Sequence, residues 1–217
     1  MKIIELNQQQ IMYLLTNEKP FSRGQFGILT LLGDKVYKIH YKKLIDTYFS
    51  KDSEDLESEI ETLTTVEETL KKGLYNPKVN ADNFQRLENT RTNNLITGVL
   101  AYKGIYVGIE MNYLERYKSF KEISKKMDAK SLEESLKNIG ESINDLLENN
   151  IVPNDIKEDN ILIDPTNLDI KIIDLDGIET VYGPENYVKE YPYTRSSVMR
   201  KYKEMRNRVI NREEIDR

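Results

Sequence analysis

The sequence predicts an α+β fold, rich in strands early and helical through much of its second half. Three observations carry this expectation. Gly33-Asp34 splits two β-rich runs, and Lys103-Gly104 splits two more, so each dipeptide reads as a tight hairpin turn. Residues 53–72, 131–149 and the span from Val198 to Val209 repeat apolar side chains at helical spacing. Between the last two, a polar Asp164-Pro-Thr-Asn turn joins two short apolar runs, 161–163 and 170–173.

The bulk numbers bound the reading. The chain's 217 residues suffice for one sizeable domain or two small lobes. Hydrophobic residues make up 38% and charged residues 32%, which leaves a core under a very polar surface. The formal net charge of -5 argues against a general nucleic-acid binder. Cysteine is absent, which excludes a disulfide framework, a zinc-thiolate site and a cysteine nucleophile. The opening residues lack the apolar core of a signal peptide, and no run approaches a membrane span.

Taken in order, residues 4–15 suggest a short leading helix with Ile11, Leu14 and Leu15 on one side. Gly24 and Gly27 then flank Gln25-Phe26, and glycine backbone can approach and bind a phosphate closely. After the Gly33-Asp34 turn, Val36, Lys38 and His40 share a strand face; a lysine there is costly unless an anion meets it. His40, the only histidine, reads as structural. The helix expected over 53–72 carries Ile60, Leu63, Val66 and Leu70 on one face, with acidic residues near its start, where the helix dipole favours them. Residues 73–92 read as a polar connector, and 95–102 with 105–111 as the second hairpin. The helix over 131–149 presents Leu132, Leu136, Ile139, Ile143, Leu146 and Leu147, and leads directly into the stretch 152–163. Near the end, Val198, Tyr202, Met205 and Val209 mark the apolar face of a helix that is otherwise basic, through Arg200, Lys201, Lys203, Arg206 and Arg208.

The chemistry concentrates in 152–163, Val-Pro-Asn-Asp-Ile-Lys-Glu-Asp-Asn-Ile-Leu-Ile, and in 171–177, Lys-Ile-Ile-Asp-Leu-Asp-Gly. Asp155, Lys157 and Asn160 fall within six residues, and the second apolar run ends on Asp174. Carboxylate and amide oxygens suit magnesium, which binds through a few such groups plus substrate phosphates. The plainer alternative is an acidic turn between two buried strands.

These stretches resemble the catalytic loop and metal-binding segment of protein kinases, His-Arg-Asp-Leu-x-x-x-x-Asn followed by Asp-Phe-Gly. Asp155, Lys157, Asn160 and Asp174 stand at the positions of the catalytic Asp, its Lys, and the metal-binding Asn and Asp. The resemblance extends over about residues 22–177. Ser22, Gly24 and Gly27 stand in the glycine loop, Lys38 at the phosphate-binding lysine, and Glu59 of Glu-Ile-Glu-Thr-Leu at its helix partner, with Glu61 the fallback. Met111 and Tyr113 stand at the adenine pocket and hinge. Asp176 either adds a metal ligand or caps a turn. The implied fold is a bilobal kinase-like domain spanning 1–217, with a β-rich N-lobe over about 18–114, one regulatory helix, and a reduced helical C-lobe over about 115–217.

The implied function is ATP- and magnesium-dependent transfer of a phosphoryl group to a protein hydroxyl, as in minimal serine/threonine kinases of the bacterial effector type. The implied location is the cytoplasm of the producing cell, or of a host cell for a delivered effector. Short kinases of this kind are sometimes completed by a bound protein; the basic helix near the end either closes the large lobe or offers such a protein a docking surface. The departures are Pro153 for His, Asn154 for Arg, Leu175-Asp176 for Phe-Gly, and loss of the first glycine. Asn154 cannot bind a phosphorylated loop, which implies activity independent of such phosphorylation. Small-molecule kinases of the aminoglycoside and choline type share the Asp-to-Asn spacing, but build their acceptor pocket from a region longer than the 40 residues that follow Gly177. A nucleotide-binding pseudokinase is the remaining alternative.

Overall fold

The computed structural model describes residues 1–16, 22–24, 27–40, 76–153, 155–175 and 195–215. It is an α+β protein that divides into two compact units, Met1–Gln85 with Ile96–Tyr113, and Arg86–Leu95 with Leu114–Arg217. The helix expected over 53–72, with Glu59, lies outside the described residues, as do Asn154, Asp176 and Gly177.

The first unit is built on six strands: β1 (Lys2–Glu5), β2 (Ser22–Gly24), β3 (Gly27–Leu32), β4 (Lys35–His40), β5 (Ile96–Tyr102) and β6 (Ile105–Asn112). Their order is β1-β5-β6-β4-β3-β2, antiparallel throughout except that β1 runs parallel to β5. The turns follow from their residues. Gly33 has φ +62, and Lys103 and Gly104 have φ +51 and +76, the positive values that tight hairpins demand. Gly108 matters differently. A Cβ there would lie 2.0 Å from the Lys38 carbonyl oxygen, so only glycine lets β6 approach β4 this closely.

Two expectations for this unit are corrected. Residues 2–5 form strand β1, and the first helix is Gln8–Thr16. Asn7 sets its start reciprocally: the Gln10 N–H donates to Asn7 Oδ1 at 2.9 Å and the Asn7 N–H to Gln10 Oε1 at 2.8 Å. Ile11 and Leu14 from this helix join Leu6, Ile39, Leu100, Tyr102 and Val107 in one core cluster. Full burial of each such aliphatic side chain contributes roughly 1.5–3 kcal/mol. The supposed connector 73–92 contains a helix, Pro77–Gln85, followed by a 3-10 turn, Arg86–Asn89. Proline suits the first helical position, and Asn76 Oδ1 accepts the Lys78 N–H at 2.9 Å. Ala81 and Phe84 are its buried anchors.

The second unit holds a small sheet, β7 (Lys118–Ser119), β8 (Ile161–Ile163) and β9 (Ile170–Ile172), all antiparallel. Its main support is the helix Ala129–Glu148, capped where the Ser131 N–H donates to Asp128 Oδ1 at 2.8 Å. Leu132, Leu136, Ile139, Ile143 and Leu146 form the buried stripe that the periodicity predicts. The helix stops because Asn150 takes φ +59. The Ile151 N–H then reaches the Leu146 carbonyl at 2.9 Å and the Asn150 N–H reaches Leu147 at 3.2 Å, the paired bonds that close a helix through a left-handed residue.

The helix Arg195–Ile215 packs on this support through Val198, Tyr202, Met205 and Val209, all buried as their spacing predicts. Tyr202 donates its hydroxyl to the Leu136 carbonyl at 2.6 Å, and its ring lies where a Cβ on Gly140 would collide. Glycine inside a helix costs about 1 kcal/mol against alanine, which here offsets against close packing of that ring. Among the described residues no helix is long and apolar enough to cross a membrane.

Candidate functional site

The hairpin β8–β9 brings the polar residues of two separate sequence stretches to one end. Ile161 pairs with Ile172 and Ile163 with Ile170. One further bond, from the Ile173 N–H to the Asn160 carbonyl at 2.9 Å, extends the ladder past the strands. Asn160 therefore stands just before β8, at the end where Asp174 follows β9. Beneath, Ile161, Ile163, Ile170 and Ile172 are buried, which fixes the register, because a slip of one residue would turn them to the other face.

Around this mouth Asp155 collects two donors. Lys157 Nζ donates to Asp155 Oδ2, and Asn160 Nδ2 reaches the same Oδ2 at 3.0 Å and the Asp155 carbonyl at 3.0 Å. Asn160 is buried with its amide hydrogens turned toward Asp155, which leaves Oδ1 as the acceptor for another group. The Lys157 ammonium is held above its ordinary 10.5, first by its hydrogen bond to Asp155, against a smaller opposing effect of burial, with the charges of Asp155, Asp174 and Asp159 adding to it. Lys157 is thus a firmly charged cation placed among three carboxylates.

Asp174 is exposed and has φ +63, a left-handed conformation that asparagine and aspartate tolerate better than most residues. The loop itself is a 3-10 turn, Glu158–Asn160, closed by the Asn160 N–H on the Lys157 carbonyl at 3.0 Å. Lys121 meets Asp159 at 3.0 Å, and Arg212 meets Glu158 at 2.7 Å. Among the described residues, no group of three or more His, Asp or Glu side chains is gathered as a metal site. Asn160 and Asp174 offer an amide and a carboxylate oxygen, the sparse donor set that magnesium accepts when phosphates supply the rest.

The first unit holds the remaining sequence-predicted residues. Ser22 and Gly24 lie on β2, with Ser22 opposite Leu29 and Gly24 opposite Gly27 across the hairpin. Lys38 stands on the central strand β4 between Leu29 of β3 and Ile109 of β6, half-buried among apolar neighbours. His40 is buried, its ring 5.9 Å from that of Tyr106, in keeping with a structural part. Met111 pairs with Val36 on one side and Ile96 on the other and is half-buried. Tyr113, at the expected hinge, donates its N–H to the Asp34 carbonyl at 2.9 Å.

Sequence reasoning passed over two features. Glu158 sits in a run of polar residues, is buried, and has its cation 54 residues away. Glu110 is a buried carboxylate on β6 that accepts from Lys2 at 2.7 Å, Thr97 at 2.8 Å and Tyr37 at 3.1 Å. Burial alone would raise its pKa, but these three donors together hold it below the ordinary 4.5. An inward-pointing glutamate at an apolar strand position was the only available signal for it. No protein-family model matches the chain, and no curated protein matches it.

Proposed function

We propose that the chain is an ATP- and magnesium-dependent phosphotransferase with a two-lobed, protein kinase-like fold, acting on a protein hydroxyl. The observation that carries this reading is the convergence of Asp155, Lys157, Asn160 and Asp174 at one end of the β8–β9 hairpin. A β-rich unit with a glycine hairpin beside a lysine-bearing central strand, and a second unit of helices around a short hairpin, favour the same reading.

Phosphoryl transfer needs positioning and charge neutralisation more than covalent help. Asn160 Oδ1 and the Asp174 carboxylate would hold magnesium, which supplies charge neutralisation on the nucleotide's phosphates. Lys157, charged and held on Asp155, would face the transferred group. With Oδ2 occupied by its two donors, Asp155 would use Oδ1 to orient the acceptor hydroxyl and take its proton. Lys38 of the first unit stands at the position that binds nucleotide phosphates in the family the sequence resembles.

Incubation with radiolabelled ATP and magnesium, with a cell lysate or with an aminoglycoside panel as acceptor, tests the proposal. Label is expected on lysate protein. Asp155→Ala should lower transfer by about 100-fold or more while the ATP-induced rise in melting temperature persists. Label on the aminoglycosides alone would make the chain a small-molecule kinase, and a melting shift without any transfer would make it a pseudokinase. Full transfer by Asp155→Ala overturns the mechanism.

A further inference from the structure

The loop that carries Asp155 and Asn160 is held by a charge from far along the chain. Glu158 opens the 3-10 turn, and its side chain is only 7% exposed. Its Oε2 accepts from Arg212 Nη1 at 2.7 Å, and Arg212 lies in the last turn of the helix Arg195–Ile215. The pair is buried on one side only: Arg212 is 47% exposed, but Glu158 stripped of its cation would keep the cost of its lost hydration, which ties its burial to Arg212. The neighbouring pair, Lys121 with Asp159, is half exposed on both sides, and such pairs hold little. Arg212 is in turn fixed by its own helix, whose Tyr202 and Met205 are buried, with Tyr202 bonded to Leu136.

We infer that Arg212 is a positioning residue: through Glu158 it sets the 155–160 loop, so that transfer at Asp155 depends on the docked C-terminal helix. This rests on the phosphotransferase reading of that loop. Glu158 is two residues from Asn160 within one closed turn. An outward swing of Glu158 rotates the turn and withdraws the Asn160 amide from Asp155. Displacements of about 1 Å in such machinery cost on the order of 100-fold in rate.

The test uses the full chain with Arg212→Gln, Arg212→Lys, Glu158→Gln and the double variant Glu158→Gln/Arg212→Gln. Amide exchange read by NMR is expected to quicken about tenfold at Asn160 and Ile173 in Arg212→Gln, with Ile143 and Val209 unchanged. Arg212→Lys should restore protection, and the double variant should be no worse than Arg212→Gln. For transfer, kcat should fall on the order of 100-fold while KM for ATP stays within about twofold. Unchanged exchange at Asn160 and Ile173, or an equal rise across the unit, overturns the inference. If exchange responds as expected but the wild-type chain transfers no phosphate, the phosphotransferase reading falls and the loop-setting role of Arg212 stands.

Discussion

Asp174 combines a backbone demand with a chemical one, and a substitution can part them. Its φ of +63 restricts which residues fit, while its carboxylate helps hold the Lys157 pKa up. Asparagine tolerates the same backbone and removes the charge. Asp174→Asn should therefore leave stability within about 0.5 kcal/mol of wild type, measured by urea denaturation. On the proposed phosphotransferase reading, magnesium-dependent ATP binding, measured by calorimetry, should weaken at least about tenfold, since a charged donor is lost. At this scale the sequence was most informative. Asp155, Lys157 and Asn160 lie within one loop, so their meeting follows from local spacing. Glu158 with Arg212, and Glu110 with Lys2, meet only because the fold brings distant segments together, and no local pattern announces that.

At the scale of elements, close approach of strands is what the first unit depends on. Gly108 sits where the pairing of β5 with β6 shifts register, and its missing side chain lets the β4 backbone at Lys38 pass. A methyl group there meets main chain, which cannot rotate aside. Gly108→Ala should cost at least about 3 kcal/mol, above the usual range for overpacking, read as a lower urea midpoint with unchanged slope. Because Lys38 belongs to the displaced strand, the proposed phosphotransferase reading expects ATP binding to weaken in the same variant. Hairpins and the two long amphipathic helices were legible, since glycine turns and apolar repeats of 3.6 are local signals. The helix Pro77–Gln85 was not, because asparagines dilute its short apolar face to Ala81 and Phe84. Strand β1 has too few residues to show a period, so its last two, Ile4 and Glu5, fall within the span that the periodicity assigns to the first helix.

Across the whole molecule, each unit carries a buried carboxylate whose pKa is depressed. Glu110 is one. The other is Asp164, fully buried at the β8–β9 turn, where the Thr166 hydroxyl and then its N–H lower the pKa below 3.8, against the effect of burial and with help from Arg116. A depressed pKa means that the folded state holds the proton less tightly than the unfolded chain. The stability from these groups is thus fully present above 4.5 and 3.8 and is lost as pH falls through the lower folded values. Urea midpoints should accordingly drop between about pH 5 and pH 2. Glu110→Gln should cost about 1–3 kcal/mol at neutral pH, because Lys2 loses its charged partner, and should flatten part of that acid dependence. The parallel union of β1 with β5 has a consequence for synthesis. Lys2 finds its place beside Gly98, so a ribosome adding about 5–20 residues per second leaves the first strand waiting roughly 5–20 s for its mate. Nascent chains arrested before residue 96 should expose that segment to proteases and holding chaperones, and release of the strand pair should mark the moment at which the first unit becomes resistant.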